Sequence, residues 1–193
     1  MRPSITLALL LVAQSAAPFA DTARDAEQHG DIDVGVVLDS NAQHGLASAS
    51  VRIRADREVV WSMLTSCSEA GALVPGLIDC RVLETAPDRS WQLIRHVVDY
   101  SWFVPTVTYE FRATYEYPAH ISIERVSGSL RTLKCSWDLK GDGEFTVLNF
   151  SLELAPGFWV PRWIVRLALK QDLPRMLRAL RADSEAAQRR AAT

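Results

Sequence analysis

The chain has 193 residues, with 21 Lys and Arg against 23 Asp and Glu, and a net charge of −2 at pH 7. This near-neutral balance argues against a general nucleic-acid binder, which needs a strongly basic surface. Apolar residues make up 48% of the chain, which is enough for one domain with a substantial core.

The N-terminus has the pattern of a secretory signal peptide. Arg2 precedes an apolar run at residues 5–12, and small residues follow around Ala17 and Ala20. This run is shorter than the roughly 20 residues that span a bilayer. We expect cleavage of residues 1–20, a single domain at residues 32–187, and a periplasmic or secreted protein. A retained membrane anchor is the alternative.

The first elements after the leader are two strands and two short helices. Residues 32–38 and 46–53 read as strands separated by a turn-rich segment. Asp56 is placed to cap the helix that follows. A second short helix at residues 68–74 should end at Pro75-Gly76, because both residues break helices.

The middle of the chain reads as a run of strands with short connections. Strands are expected at residues 80–85, 91–102, 106–117, 121–126, 130–139 and 145–154. Short connections favour antiparallel neighbours. The most regular alternation places Tyr109, Phe111 and Tyr115 on one face of a strand and polar residues on the other. One face of the sheet is therefore expected to be apolar.

The last segment, from Pro161 to about Ala187, is predicted to be a long helix. Its apolar residues Leu169, Leu173, Met176 and Leu180 recur at the spacing of one helical face. Pro174 removes a backbone hydrogen bond and should kink the helix, with Asp172 available to cap the second half.

The charge of this C-terminal segment is basic. From residue 161 onward there are eight Lys and Arg against three Asp and Glu. A basic helix on a more acidic body is suited to anionic lipid headgroups. The alternative is a solvated polar face beside an apolar stripe.

Three cysteines in an exported chain permit at most one internal disulfide. Cys67 and Cys80 are the expected pair, because they enclose a short segment whose ends can meet. Cys135 lies in a strand pattern and is expected to be a small buried apolar residue. Pairing of Cys135 with either of the other two is the alternative.

The order of these elements resembles that of the START-like superfamily, also called SRPBCC, helix-grip or Bet v 1-like. Residues 55–64 with Trp61, the break Val74-Pro75-Gly76 and the strand start at residues 80–84 are similar to the opening of its polyketide cyclase/dehydrase and coenzyme Q-binding START branch. The resemblance covers residues 51–180. It implies an α+β fold in which a curved antiparallel sheet wraps around a long C-terminal helix, with two short helices after the first strand.

The resemblance also implies a cavity between the sheet and the last helix that binds an apolar ligand. The predicted ligand-binding residues are the apolar phase of the strands and the aromatic residues at two turns: His96, Val98, Tyr100, Trp102, Tyr109, Phe111, Tyr115, Trp137, Phe150, Phe158 and Trp159. Ile94, Val107, Leu133, Leu148 and Leu152 share these phases. Each strand residue could equally be plain core, because the same face supplies both.

The aromatic residues at turns have a separate interpretation. Phe103, Phe158 and Trp159 are expected to surround the cavity mouth and contact a membrane surface, while Arg162 and Arg166 meet phosphates. The alternative is that these aromatic side chains plug the end of the sheet.

No catalytic constellation is found in the sequence. His96 and Asp99 lie three apart in a strand and face opposite sides, and His96 and Tyr100 are about 13 Å apart at ~3.3 Å per residue. His96 is therefore interpreted as a core histidine or an anchor for a ligand headgroup. No nucleophile elbow, phosphate loop or metal-ligand spacing is present, so neither a cofactor nor a metal is expected.

Three classes of function are consistent with this pattern. The favoured class is a carrier that binds, and possibly transports, a hydrophobic small molecule or lipid. The second is a cyclase or dehydratase acting on a lipid-like or polyketide substrate, with His96, Tyr100 or Tyr109 positioning a carbonyl. The third is an interaction domain without a ligand.

Overall fold

A single antiparallel sheet forms most of the computed structural model, which describes residues 32–38, 44–100 and 104–192 apart from the side chain of Arg162. In these residues the strands are β1 (Asp33–Leu38), β2 (Gly45–Ile53), β3 (Leu77–Thr85), β4 (Trp91–Val98), β5 (Val107–Glu116), β6 (His120–Gly128), β7 (Leu130–Asp142) and β8 (Phe145–Pro156). Their order in the sheet is β1-β2-β8-β7-β6-β5-β4-β3. The predicted α+β helix-grip fold, a curved sheet around a C-terminal helix, is confirmed.

The helices lie between β2 and β3 and after β8. They are α1 (Arg57–Thr65), α2 (Ala70–Leu73), α3 (Arg162–Leu167), a π-helical turn (Ala168–Asp172) and α4 (Leu173–Ala191). Among the described residues, no helix has both the length and the apolar composition needed to cross a membrane.

The C-terminal helical segment, which consists of α3, the π-helical turn and α4, packs its apolar face on the sheet. Leu169, Leu173 and Leu180 are buried as their spacing predicts, and Leu177 between them is fully buried. These residues belong to one core cluster together with residues of β2, β7, β8 and α1. A second, smaller cluster is formed by Ile94, Phe111 and Ala113 on β4 and β5.

Pro174 lies just after the π-helical turn. The N–H of Leu173 donates to the carbonyl of Ala168, five residues back, so the turn is wider than in an α-helix. This wider turn accommodates a proline, which lacks an N–H and crowds the preceding turn. The predicted capping by Asp172 is wrong, because Asp172 has helical backbone angles and its side chain makes no cap hydrogen bond.

Asp56 occupies the N-cap position of α1 but does not cap it with its side chain. Its backbone carbonyl accepts a hydrogen bond from the N–H of Val60 at 3.1 Å. Its carboxylate Oδ2 accepts from Nε2 of Gln188 at 3.0 Å, while its N–H donates to Oε1 of Gln188 at 3.2 Å. The start of α1 is therefore held against the end of α4.

The turn before β3 requires a glycine. Gly76 has a φ of 76°, and a Cβ at this position would lie 2.6 Å from the carbonyl oxygen of Asp99. The N–H of Asp99 donates to the carbonyl of Gly76 at 2.8 Å, which fixes the close approach. The predicted Pro75-Gly76 break therefore leads from α2 into β3, and its glycine packs closely against the backbone just after β4.

The ends of β3 and β4 differ from the sequence expectation. β3 begins at Leu77 rather than at Cys80, and β4 ends at Val98, whereas the prediction extended the strand to Trp102. Trp102 itself lies outside the described residues. Tyr100 consequently leaves the sheet and approaches the C-terminal helical segment.

Candidate functional site

A partly open cavity of about 370 Å³ lies between the concave face of the sheet and the C-terminal helical segment. Small-molecule sites in proteins have volumes of roughly 300–1,000 Å³. Apolar side chains supply most of the lining, and they include Leu64, Leu73, Ile94, Val98, Val107, Phe111, Ala113, Ile123, Leu133, Trp137, Phe150, Leu152, Ile164, Val165, Leu169, Leu173 and Met176. The lining draws on both core clusters.

The strand period places the lining residues of β4 and β5 side by side. In the β4–β5 register, Ile94 lies opposite Phe111, His96 opposite Tyr109 and Val98 opposite Val107. All six line the cavity. Because alternate residues of a strand share a face, this wall follows directly from the alternation seen in the sequence.

His96 and Tyr109 form a polar pair in this apolar wall. Nδ1 of His96 lies 3.2 Å from the Tyr109 hydroxyl, and the His96 side chain is buried, with 7% exposure. The ring of Phe111 meets the imidazole edge-on at 4.8 Å. Burial lowers the pKa of His96 from 6.5 to about 4, and burial raises the pKa of Tyr109. Both side chains are therefore uncharged at neutral pH.

A second polar contact joins Tyr100 to the π-helical turn. The Tyr100 hydroxyl donates to Oδ2 of Asp172, and Nη1 of Arg175 lies 3.5 Å from Oδ1 of the same carboxylate. Burial, and then the bond to Asp172, raise the pKa of Tyr100. Tyr100 and Asp172 both line the cavity, whereas Arg175 is exposed.

The remaining polar and sulfur-containing side chains of the wall are already paired or deeply buried. The Tyr115 hydroxyl donates to Oε1 of Gln92 at 2.8 Å, and burial raises the pKa of Tyr115 to about 12. Cys135 is a free thiol whose pKa is raised by burial. Cys67 and Cys80 are joined by a disulfide, as expected, with their Cα atoms 5.5 Å apart.

This disulfide is part of the cavity wall. Both of its cysteines are lining residues. It connects the segment between α1 and α2 to β3, and Cys80 lies opposite His96 in the β3–β4 register. The wall is therefore cross-linked next to the polar pair.

Most of the predicted ligand-binding residues are brought together by the fold. Those that line the cavity are His96, Val98, Tyr100, Tyr109, Phe111, Tyr115, Trp137, Phe150 and Phe158. Trp159 is not a lining residue, and it is 77% exposed. Trp102, Phe103 and the side chain of Arg162 lie outside the described residues. Leu148 was expected to share the lining but is fully buried in the core.

Sequence reasoning missed Asp172 and Cys135 as lining residues. Cys135 has the same strand phase as Leu133 and Trp137, so the alternation was a sufficient signal for it. Asp172 was interpreted as a helix cap, and no local pattern indicates its contact with Tyr100, which comes from a distant strand end.

The other described histidines lie away from this cavity. His44 pairs with Glu153 at 2.9 Å and His120 with Asp138 at 2.7 Å. In the described part of the chain, no group of three or more His, Cys, Asp or Glu side chains is arranged to hold a metal ion.

A family model described as polyketide cyclase/dehydrase and lipid transport matches residues 53–181. This match covers every residue that lines the cavity and most of the C-terminal helical segment. The chain belongs to this family. A search of the curated proteins finds no match to the sequence.

Solved structures of this family's fold are similar over most of the chain. The STAR-related lipid transfer protein of Xanthomonas axonopodis is 19% identical, with a TM-score of 0.64 over 81% of this chain and 94% of that one. A START superfamily protein of Mycobacterium smegmatis is 17% identical, with a TM-score of 0.61 over 74% and 98%. The Zhui aromatase/cyclase of Streptomyces is 17% identical, with a TM-score of 0.57 over 79% and 94%. At these identities the likeness shows the fold alone.

Proposed function

We propose that this protein binds a hydrophobic small molecule or lipid in the cavity and carries it through an aqueous compartment. The observation that supports this most directly is a cavity of about 370 Å³ with an almost wholly apolar lining. Most of the lining residues are inward-facing side chains of β4, β5, β7 and β8 or lie on the apolar face of the C-terminal helical segment.

The driving force for uptake is the transfer of apolar surface out of water. Each Å² of apolar surface buried contributes about 25 cal/mol. Binding removes apolar surface of both the cavity wall and the ligand from water and therefore contributes several kcal/mol to the binding free energy. Part of this offsets the lost translational and rotational freedom of the ligand. No covalent step is required for this role.

The test is to fill the cavity without changing the rest of the surface. Leu133 lines the cavity on β7, while its neighbour Lys134 is exposed on the opposite face of the same strand. Leu133→Trp should reduce the lipid that is retained in native mass spectra of protein purified from its own compartment. Lys134→Trp is the matched control and should retain it.

Two outcomes contradict the carrier. One is the absence of any retained lipid in the parent protein, both in native mass spectra and after reloading with a neutral lipid. The other is equal retention by the Leu133→Trp and Lys134→Trp variants, which would place the lipid elsewhere on the molecule.

A second candidate function is a cyclase or dehydratase acting on a lipid-like or polyketide substrate in the same cavity. The hydrogen-bonded pair of His96 and Tyr109 favours it, because an uncharged imidazole can accept a proton and a phenol can polarise a carbonyl. A His96→Phe variant that still binds the substrate but no longer converts it would support the enzyme over the carrier.

Transient contact with a membrane surface is part of the proposal. Trp159 is an exposed aromatic residue in the loop before α3, next to Phe158 in the cavity wall. Trp163 is exposed at the start of α3, and Arg166 is exposed one turn later. Exposed tryptophans beside basic residues suit the interface of an anionic bilayer. The double variant Trp159→Ser/Trp163→Ser should reduce co-sedimentation with phosphatidylglycerol vesicles, and Tyr117→Ser, another exposed aromatic, should not.

The proposed compartment is the periplasm or the exterior. The leader-like pattern of residues 1–20 lies outside the described residues, and the disulfide between Cys67 and Cys80 is suited to an oxidising environment. Residues 32–187 are proposed as the single ligand-binding domain. Mass spectrometry of the exported protein would show whether residues 1–20 are removed and whether the disulfide is formed.

A further inference from the structure

The cavity offers very few charged side chains to a ligand. Among the described residues that line it, Asp172 is the only Asp, Glu, Lys or Arg. Its carboxylate already accepts a hydrogen bond from Tyr100 and faces Arg175. A ligand carboxylate inside the cavity would therefore meet no lining Lys or Arg, and burying an unpaired charge is strongly unfavourable.

The wall nevertheless contains one built hydrogen-bonding site, the pair of His96 and Tyr109. His96 is 7% exposed, and its ring makes a single hydrogen bond within the described residues, between Nδ1 and the Tyr109 hydroxyl. Its second ring nitrogen, Nε2, has no partner in that part of the chain. A neutral imidazole has one N–H donor and one acceptor nitrogen, so the tautomer decides what each nitrogen does.

Both tautomers leave the pair with the same free hydrogen-bonding groups, one donor and one acceptor. If Tyr109 donates to Nδ1, then Nε2–H of His96 is the free donor and the phenol oxygen is the free acceptor. If Nδ1–H donates to Tyr109, then the phenol O–H is the free donor and Nε2 is the free acceptor. In either case the pair presents one donor, one acceptor and no net charge, because burial keeps the pKa of His96 low and that of Tyr109 high.

We infer that the His96–Tyr109 pair selects ligands that carry a neutral oxygen group, an alcohol or an ester or ketone carbonyl, on an otherwise apolar body, over carboxylates and over plain hydrocarbons. This inference rests on the proposed function, since it names the ligand class of the same cavity. The hydrogen bond to this pair orients the ligand, because the apolar contacts of the rest of the wall are not directional.

The size of the preference follows from one buried hydrogen bond. A net contribution of about 1–1.5 kcal/mol corresponds to roughly a fivefold to tenfold change in affinity. The penalty for a carboxylate is larger, because the charge loses its hydration and gains no cationic partner. A set of probes with the same chain length and different head groups separates the two effects.

The experiment measures displacement of Nile red from the purified full-length protein by dodecanol, methyl dodecanoate, dodecane and dodecanoate. Dodecanol and methyl dodecanoate should displace it at concentrations about fivefold to tenfold lower than dodecane, and dodecanoate should be the weakest competitor. In the double variant His96→Phe/Tyr109→Phe, which removes every donor and acceptor of the pair, the advantage over dodecane should fall to less than about twofold, with dodecane itself little changed.

Tyr117→Phe is the matched control, since it removes a phenol hydroxyl at the exposed end of β5, away from the cavity lining. It should keep the advantage of dodecanol. Circular dichroism checks that each variant is folded, and the unchanged dodecane affinity reports an intact cavity.

The outcomes separate this inference from the carrier itself. If Nile red does not bind, the cavity does not take apolar ligands and the proposed function fails together with the inference. If Nile red binds but the four competitors are equivalent, or if the double variant His96→Phe/Tyr109→Phe keeps the alcohol preference, the carrier stands and the selectivity of the polar pair is refuted.

Discussion

Acidification should destabilise this protein through His96, and the structure gives both the sign and the size. The buried imidazole has a pKa of about 4 in the folded state, against 6.5 for an ordinary histidine. Between these values the unfolded chain binds a proton at His96 and the folded chain does not. The free energy of unfolding must therefore fall as the pH is lowered from about 6.5 to about 4.

The magnitude is the pKa difference multiplied by about 1.36 kcal/mol per unit, which gives about 3 kcal/mol as an upper value. The side chains against the ring support a single titration in this window. Tyr109, which is hydrogen-bonded to the ring, has a raised pKa, Phe111 does not titrate, and Cys80, opposite His96 in the β3–β4 register, is held in the disulfide, so none of these three gains or loses a proton between pH 4 and 6.5.

The assay is urea denaturation followed by tryptophan fluorescence, for the parent protein, His96→Phe and His96→Gln, from pH 7 to pH 4. Other groups also titrate over this range, so the relevant quantity is the difference between parent and variant. This difference should shift by about 3 kcal/mol in favour of both variants at the acidic end.

Val98→Ala is the matched control, because it removes buried apolar volume from the same face of β4 without removing a titrating group. Its difference from the parent should stay constant across the range. A His96 difference that is equally constant would refute the argument, since it would mean that the folded protein protonates His96 as readily as the unfolded chain does.

Three further predictions concern stability and use the same denaturation measurement at pH 7. Leu177→Ala removes a fully buried side chain from α4 and should lower the free energy of unfolding by about 2–5 kcal/mol; a loss below 1 kcal/mol would contradict the packing seen here. Thr146→Val removes the buried hydroxyl that donates to the carbonyl of Ala55 at 2.7 Å, and should cost about 1–3 kcal/mol, whereas a neutral effect would mean that water replaces the hydroxyl. Reduction of the Cys67–Cys80 disulfide, which closes a loop of 13 residues, should cost about 3 kcal/mol and weaken Nile red binding; equal midpoints with and without reductant would contradict this.

The strands, their apolar face and the last helical segment were predictable from the sequence because their signals are local, whereas the helix-grip arrangement was implied by the resemblance of their order to the START-like superfamily. Alternation in β5 fixes which side chains face inward, and the four-three-four spacing of Leu169, Leu173, Met176 and Leu180 fixes the buried stripe of the last helical segment. The disulfide was also predictable, since Cys67 and Cys80 enclose a short segment whose ends can meet. These features depend on residues close together in the chain.

The polar contacts of the cavity could not be predicted in the same way. Strand periodicity correctly excluded a bond between His96 and Tyr100, but the true partner, Tyr109, depends on the β4–β5 register. The connection between these strands is long enough to leave that register open. The bond from Tyr100 to Asp172 depends on where β4 ends and on the π-helical turn, and neither has a clear sequence signal.

The strand order has a consequence for how the chain folds. Consecutive strands from β3 to β8 are neighbours and can pair as successive hairpins. β2, in contrast, pairs with β8, so that Gly45 lies opposite Leu154 and Ile53 lies opposite Thr146. This seam closes only when almost the entire polypeptide has been delivered, and pairings between distant segments are slow to form. Until the β2–β8 pairing forms, the apolar inner face of the sheet stays exposed to water.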